Sequence, residues 1–471
     1  MTENRLARET NVDKIAGAIY VAVAVIGGVP IIQTKILGVV PTYYRVIIPL
    51  LFVYFLISRI RNLERFSHYN KRYIALVGYL ILMVAWGIFM LVTAQYVDKR
   101  EGMRELLELV LGILSVLIIY EVCLRQKGFY IIIWNLRLVI VALTVLAIIE
   151  MSTAIHLYTS KFSDPEYIAR YMEHAGSLPA DGKISYNCTG VFYNENDFSA
   201  FLGIFVPVFF PQKTYSKLVN VLFSVELVLI LVILSQNDAW ICMFSPIVGT
   251  AAYLLITRAK ARVWLISAAA FVVVKMFGVN AFAGIAYIIY KIVPGVDVPF
   301  GISTMFHEGS SGLSEVVEGQ LDGVKSQSGS AFTRTHTYLE GLKRTFTDSY
   351  GLGFGPGSYE NYVKSNPDSN MLSNPHSMWL ELVMHYGIFL TLIFLILILW
   401  LFFRLFILYR ETHRIEYALI IAMDIIFVPI CFAPSSFFGI SYMWIPIGLS
   451  LVFSNIQLDA IKRPERKRKY F

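Results

Sequence analysis

The sequence predicts an all-α polytopic membrane protein of about twelve transmembrane helices, with a large external loop between spans 9 and 10. Three observations predict it. The 471-residue chain is 56% hydrophobic and only 15% charged, where soluble domains are about half apolar and about a quarter charged. The apolar residues fall in blocks close to the roughly 20 residues that a bilayer core of about 30 Å requires. Lysine and arginine concentrate in alternate connections between the blocks, as in proteins oriented by their cytoplasmic charge.

The blocks lie at about 15–34, 43–59, 73–95, 105–124, 129–150, 197–211, 217–235, 239–257, 262–292, 377–403, 416–434 and 439–457. Gly27, Gly28 and Pro30 interrupt the first, and the ninth is long enough for a span plus a re-entrant or surface helix. No cleavable signal peptide is expected, since the first fourteen residues are polar and no small-residue cleavage site follows the first apolar run. The chain reads as three parts: a membrane domain over 1–292, an external loop with surface helices over 293–376, and a membrane domain with a basic tail over 377–471.

Twelve spans place both termini on one side. The connections there are basic: "SRIRNLERFSHYNKRY", "RQKG", "RAKAR", "RLFILYRETHR" and the tail "KRPERKRKYF". The short connections opposite hold only Lys35, Lys99, Arg100 and Arg104. Both termini are therefore expected in the cytoplasm. This asymmetry accounts for the net charge of +7, so a nucleic-acid partner is not expected. Cys123, Cys242 and Cys431 fall in spans, and Cys188 stands without a partner in an external segment. No disulfide framework or Cys/His metal spacing is present.

Two external segments are long, about 151–196 and 293–376, and long connections in compact proteins are usually functional or disordered. Within the second, "SAFTRTHTYLEGLKRTF" has helical spacing, with Phe332, Tyr338, Leu342 and Phe346 along or near one face. It suits a helix lying at the membrane surface. Residues 307–330 read as mobile.

The chemistry concentrates at the external face. "NPHSMWLE" opens the tenth span, and Asn374 with Pro375 is a helix-start signal. His376 would then sit near a helix N-terminus, where the dipole favours anions and a neutral imidazole. It is a candidate general base, or an interfacial histidine at a cap. Arg334 could hold a phosphate at the membrane boundary, or be a solvated cation. His336 reads as a bystander.

Gly351, Gly353, Gly355 and Gly357 in "SYGLGFGPGSYENY" permit close backbone approach to a phosphate. They lack the ending of a nucleotide-binding P-loop, and a tight interhelix turn is the other reading. Asn194 and Asn196 in "TGVFYNENDFSAFLG" read as caps or as donors to a sugar or phosphate. Arg45, Arg137, Glu226, Lys275 and Asp424 are charges within apolar blocks. Glu226 with Lys275, or Arg137 with Asp424, would pair structurally. Arg45, near the external end of its span, could face a lipid phosphate.

Taken in order, Gly190–Asn196 ("G-x-F-x-N-x-N"), Arg334–Tyr338 ("R-x-x-x-Y"), Gly353–Gly357 ("G-x-G-x-G") and Pro375–Glu381 ("P-H-S-x-x-L-E") resemble the O-antigen ligase and polymerase superfamily. That superfamily includes the polymerases of capsule, exopolysaccharide and teichuronic acid synthesis. The layout matches over nearly the whole chain, the motifs over about a fifth of it.

The resemblance implies a bacterial glycosyltransferase of GT-C-like fold in the cytoplasmic membrane. It would transfer a glycan from an undecaprenyl-diphosphate carrier to a glycan or anchor hydroxyl on the outer face, with no cofactor, nucleotide sugar or metal. Membrane lipids and polysaccharide assembly proteins are the implied partners. His376 would be the base and Arg334 the diphosphate ligand, with Glu381 orienting His376 or meeting acceptor sugar. Asn194, Asn196, Arg45, Gly353 and Gly355 would line the substrate. The absence of a D-x-D motif agrees with a metal-free reaction.

One departure stands out. The family's second arginine is expected in the short turn between spans 7 and 8, where this chain has "LSQNDAWICM" with Asp238. Arg45, Arg170 and Lys275 are the candidate substitutes. The competing classes are a lipid-linked oligosaccharide flippase and an inactive assembly scaffold. Polar features concentrated in external loops favour an enzyme. Composition favours a polymerase over a ligase only weakly.

Overall fold

The computed structural model describes residues 10–31, 40–61, 71–125, 127–175, 185–212, 214–237, 239–258, 330–372, 374–375, 377–434, 436 and 438–455. Secondary structure among them is helical apart from isolated bridge residues, Pro30 paired with Thr42 among them. The helices are α1 (Asn11–Ile26), α2 (Tyr43–Arg61), α3 (Lys71–Thr93), α4 (Lys99–Cys123), α5 (Gly128–Thr153), α6 (Pro165–Ala175), α7 (Glu195–Phe205), α8 (Lys217–Gln236) and α9 (Trp240–Ile256). Then follow α10 (Ser330–Ser349), α11 (Tyr359–Ser365), α12 (Met378–Thr412), α13 (Ile415–Ile430) and α14 (Trp444–Asn455).

The polytopic all-α architecture stands. Among the described residues, α2, α3, α4, α5, α8 and α12 are long and apolar enough to cross a membrane, and α9 is a shorter apolar helix. Several expected spans are shorter than their apolar blocks. The block at 197–211 holds α7 and a 3-10 turn over Val206–Phe209. Pro207 lacks the N–H that would continue the helix. The last block holds α14, only 12 residues long, and nearly all of it is buried. Its apolarity serves the protein core rather than lipid contact. The block at 262–292 lies outside the described residues, as does the segment 307–329.

The most enclosed of the six long apolar helices, α4, packs against the buried α14. Gly112 allows this: a Cβ there would lie 2.0 Å from the Trp444 ring, and small residues are what let apolar helices approach closely in a bilayer. Around this pair stand α1, α2, α3 and α5 on one side, with α7, α9, α12 and α13 on the other. Exposed apolar side chains such as Leu50, Ile74, Ile81, Val92, Leu138, Leu218 and Ile396 line the outside of the long helices. They form the surface a lipid environment would cover.

The expected pairing of Arg137 with Asp424 is not found. Arg137 donates to the Val208 carbonyl and the Tyr215 hydroxyl, and its guanidinium lies over the Trp134 and Phe223 rings. Asp424 accepts from the Ser450 hydroxyl at 2.7 Å. Glu226 accepts from Thr144, while Lys275 lies outside the described residues. A hydroxyl satisfies a buried carboxyl without placing a second charge in the apolar interior. A buried pair does occur, unanticipated, between Arg59 of α2 and Glu121 of α4.

Residues 330–372 form a folded cap over the start of α12. The helix expected in "SAFTRTHTYLEGLKRTF" is α10, but a different face of it meets the protein. Thr337, Gly341 and Thr345, spaced i, i+4, i+8, are buried, and a Cβ on Gly341 would crowd Leu380 and Met384 of α12. Leu339, Leu342 and Phe346 point outward. The small residues let α10 lie flat on α12, leaving its apolar residues free for a membrane surface. Beneath it, Phe354, Tyr359, Tyr362, Met371, Leu380 and Met384 form a separate core. Arg344 ties the cap together through Glu340 and Asp368.

Candidate functional site

At one end of the bundle, the start of α4, the start of α12, the glycine turn and the 431–443 segment converge. Asp98 caps α4, accepting from the Arg100 and Glu101 amides. This puts Glu105 and Glu108 in its second and third turns. Helix α12 begins later than Asn374-Pro375 predicted: Ser377 is the cap, its hydroxyl accepting from Leu380 N–H, and Met378 N–H donates to the Cys431 carbonyl. Glu381 and His385 follow one turn apart on one face of the helix.

The carboxylates of Glu105 and Glu381 meet the His385 ring, all three donor groups lying within 4.8 Å of one another. His385 Nδ1 is 3.0 Å from Glu105 Oε2. Ser436 Oγ donates to Glu381 Oε1 at 2.6 Å. Glu381 and His385 are only 3% and 2% exposed, so the Glu381 carboxylate faces inward rather than toward bulk solvent. Alongside, Arg45 pairs with Glu108 at 2.5 Å and donates to the Val40 carbonyl. Its charge already has a carboxylate partner within the protein.

The glycine turn is welded to α12. Directly after His385, the helix breaks at Gly387 (φ 83°, ψ 167°), a region open essentially only to glycine. Phe354 N–H donates to the Met384 carbonyl, Gly355 N–H to that of His385, and Ile388 N–H returns to the Gly351 carbonyl. Gly353 N–H donates to Ser349 Oγ, and Gly357 N–H to Glu105 Oε2 at 2.9 Å. A Cβ on Gly353 would stand 2.6 Å from the Gly387 nitrogen. The amides of Gly353 and Gly355 thus hold protein groups, and the turn fixes where Glu105 and His385 sit.

His376 and the side chain of Arg334 lie outside the described residues, but the segments carrying them are neighbours. Leu372 N–H donates to Thr337 Oγ1 at 3.2 Å, and His336 Nε2 is 3.0 Å from the Ser369 carbonyl. The first turns of α10 therefore run beside the strand leading to Pro375. Tyr338 donates to the Phe432 carbonyl and packs on the Phe432 ring. This links the "R-x-x-x-Y" segment to the stretch that carries Ser436.

The "G-x-F-x-N-x-N" segment is organised separately. Asn194 caps α7, its amide oxygen accepting from Asp197 N–H and its NH2 donating to Asp197 Oδ2. Asn196 is half-buried in the first turn of α7. Glu150, at the end of α5 and fully buried, accepts from the Thr189 and Gly190 amides and lies 3.2 Å from His156 Nδ1. His156 is held above its ordinary value. Burial opposes the charged ring, but hydrogen bonds to Glu150 and the Ser185 carbonyl, with the charges of Glu150 and Glu195, outweigh it. Asn237 buttresses the same segment, accepting from Cys188 N–H and donating to its carbonyl. Cys188 lies buried within this irregular segment. None of the four cysteines is in a disulfide, and all four are buried. Asp238 lies outside the described residues, as do Lys275 and the Arg170 side chain. Tyr442 O–H donates to the Asp197 carbonyl, joining the start of α7 to the 431–443 segment.

Sequence reading missed Glu105, Glu150 and His385. The signal was available in each: an ionisable residue inside an apolar block or at its edge. His385 stands four residues after Glu381, the spacing that stacks two side chains on one helical face.

No family model matches the chain. Its sequence is 22% identical over 413 residues to the teichuronic acid biosynthesis protein TuaE of Bacillus subtilis (strain 168), covering 82% of this chain and 74% of that protein. This weak homology is consistent with the resemblance to the polysaccharide polymerase and ligase superfamily.

Proposed function

We propose that the protein is a membrane glycosyltransferase of bacterial cell-envelope polysaccharide synthesis. It would polymerise undecaprenyl-diphosphate-linked oligosaccharide units at the outer face of the cytoplasmic membrane. The similarity to a teichuronic acid biosynthesis protein supports the polysaccharide role. The observation that carries the reading to a site is the contact of α10 with the strand before His376 through Thr337 and Leu372. Thr337 and Leu372 stand close in sequence to Arg334 and His376, and their contact supports reading those two residues as parts of one site although 42 residues separate them in sequence.

In this reading the acceptor hydroxyl gives its proton to His376 as its oxygen attacks the anomeric carbon. The bond from that carbon to the carrier diphosphate breaks, and the diphosphate leaves with the electron pair. Arg334 holds the departing charge, in place of a metal ion on the phosphates. The leaving group is already activated, so placement and charge stabilisation are what the protein must supply. A positioned base contributes about 10²–10⁴-fold. Asn194 and Asn196 would line the glycan path from the neighbouring segment. Glu381 would act on His376 from within the buried cluster.

The test is acceptor use by purified protein in liposomes holding undecaprenyl-diphosphate oligosaccharide. A polymerase lengthens the lipid-linked chain with no other acceptor. Growth only after an anchor acceptor is added would make the protein a ligase. Movement of intact donor across the bilayer without bond formation would make it a flippase.

A further inference from the structure

We infer that Glu105, Glu381 and His385 form a binding site for one divalent transition-metal ion, of the Zn2+ or Mn2+ type, in the wall of the bundle. This goes beyond the glycosyl-transfer reading and does not depend on it.

Two independent observations point there. The first is the donor set. Two carboxylates from two helices and one imidazole present their donor atoms within 4.8 Å of one another. Donors about 2.1 Å from one ion lie roughly 3 Å apart at right angles and about 4.2 Å apart when opposed. The 3.0 Å separation of His385 Nδ1 and Glu105 Oε2 already matches the first spacing. Shifts well under an ångström per donor would close the set. One nitrogen and two carboxylates suit zinc or manganese.

The second is the state of the histidine. His385 is 2% exposed, and neither ring nitrogen has a hydrogen-bond partner. Its contact with Glu105 has the distance of an ion pair without the alignment of a hydrogen bond. Buried polar groups left unmatched are rare and costly, and coordination would satisfy this one.

The surroundings fit. Ser436 Oγ holds Glu381 Oε1, and Gly357 N–H holds Glu105 Oε2. Such outer contacts orient metal-ligating carboxylates. Arg45, the nearby cation, is engaged with Glu108. The ion would pin α12 to α4 just before the Gly387 break.

Manganese binding to the full-length, tag-free protein in detergent, after chelator treatment, tests the inference. Titration with Mn2+ alone should show one tight equivalent, displaced by Zn2+, with nitrogen coupling from one imidazole in the pulsed paramagnetic resonance spectrum. Glu105→Gln and His385→Gln should each weaken binding at least tenfold, and His385→Gln should remove the nitrogen coupling. The wild-type spectrum decides the matter even if both variants fail to fold. No stoichiometric binding, binding without nitrogen coupling, or coupling that survives in folded His385→Gln would overturn it.

Discussion

His385 and His376 mark what a single residue can reveal. His376 draws notice in the sequence because Asn-Pro-His stands at the mouth of an apolar run. His385 gives only the weaker signal of an imidazole inside an apolar run, which gains its meaning when Glu105 arrives from another helix. Gly387 is silent in sequence, yet its position admits no side chain. A Cβ would lie 2.5 Å from the Gly351 carbonyl oxygen, in a backbone region closed to other residues. Gly387→Ala should therefore destabilise the protein by about 1–3 kcal/mol from backbone strain alone, with the overlap added. Thermal unfolding in detergent measures this, and an unchanged midpoint would mean the helix break is not formed.

His156 carries a pH dependence of defined sign. Its folded value is raised, so its contribution is fully present below the ordinary histidine value and is lost as pH rises through the folded value. The segment around Gly190 should thus be more stable near pH 6 than near pH 8. Comparing thermal midpoints of wild type and His156→Gln across that range tests it. A slope that survives in the variant would assign the effect elsewhere.

At the scale of elements, the sequence reports α10 as a helix suited to a membrane surface and is silent on the face that docks against α12. Hydrophobic spacing singled out Leu342 and Phe346, whereas Thr337, Gly341 and Thr345 make the contact. In a membrane protein apolar residues are as much at home facing lipid as facing protein, so periodicity alone cannot choose between them. Gly341→Leu should lift α10 from α12, exposing the cap to proteolysis and abolishing turnover, while Leu342→Ser should leave the cap folded. Equal protease sensitivity in the two variants would refute the docking face.

The Arg59–Glu121 pair was likewise invisible, since pairing across helices needs the fold. Arg59 is 3% exposed, and leaving one partner of a buried pair uncompensated costs about 3–5 kcal/mol. Arg59→Met should lower stability on that order, and adding Glu121→Met should restore most of it. A double variant as unstable as the single one would show that the pair is not the cause.

For the whole molecule, the class of fold was legible from composition and block length, and the span lengths were not. Blocks that end in α7 and α14 are apolar because they are buried in protein, which the sequence cannot distinguish from burial in lipid. The three-part division rests on the layout of the apolar blocks, and the expectation of cytoplasmic termini rests on charge asymmetry. A cysteine placed at each end should react with an impermeant reagent only after the membrane is opened. The proposed chemistry needs the opposite end, where α10 and the strand before His376 adjoin, to face the donor's glycan.

The most direct test is donor consumption. Purified protein in liposomes, supplied with undecaprenyl-diphosphate oligosaccharide, should release free undecaprenyl diphosphate. His376→Ala should slow this by about 10²–10⁴-fold while keeping the wild-type thermal midpoint. Release from a folded His376→Ala protein at the wild-type rate would contradict the account.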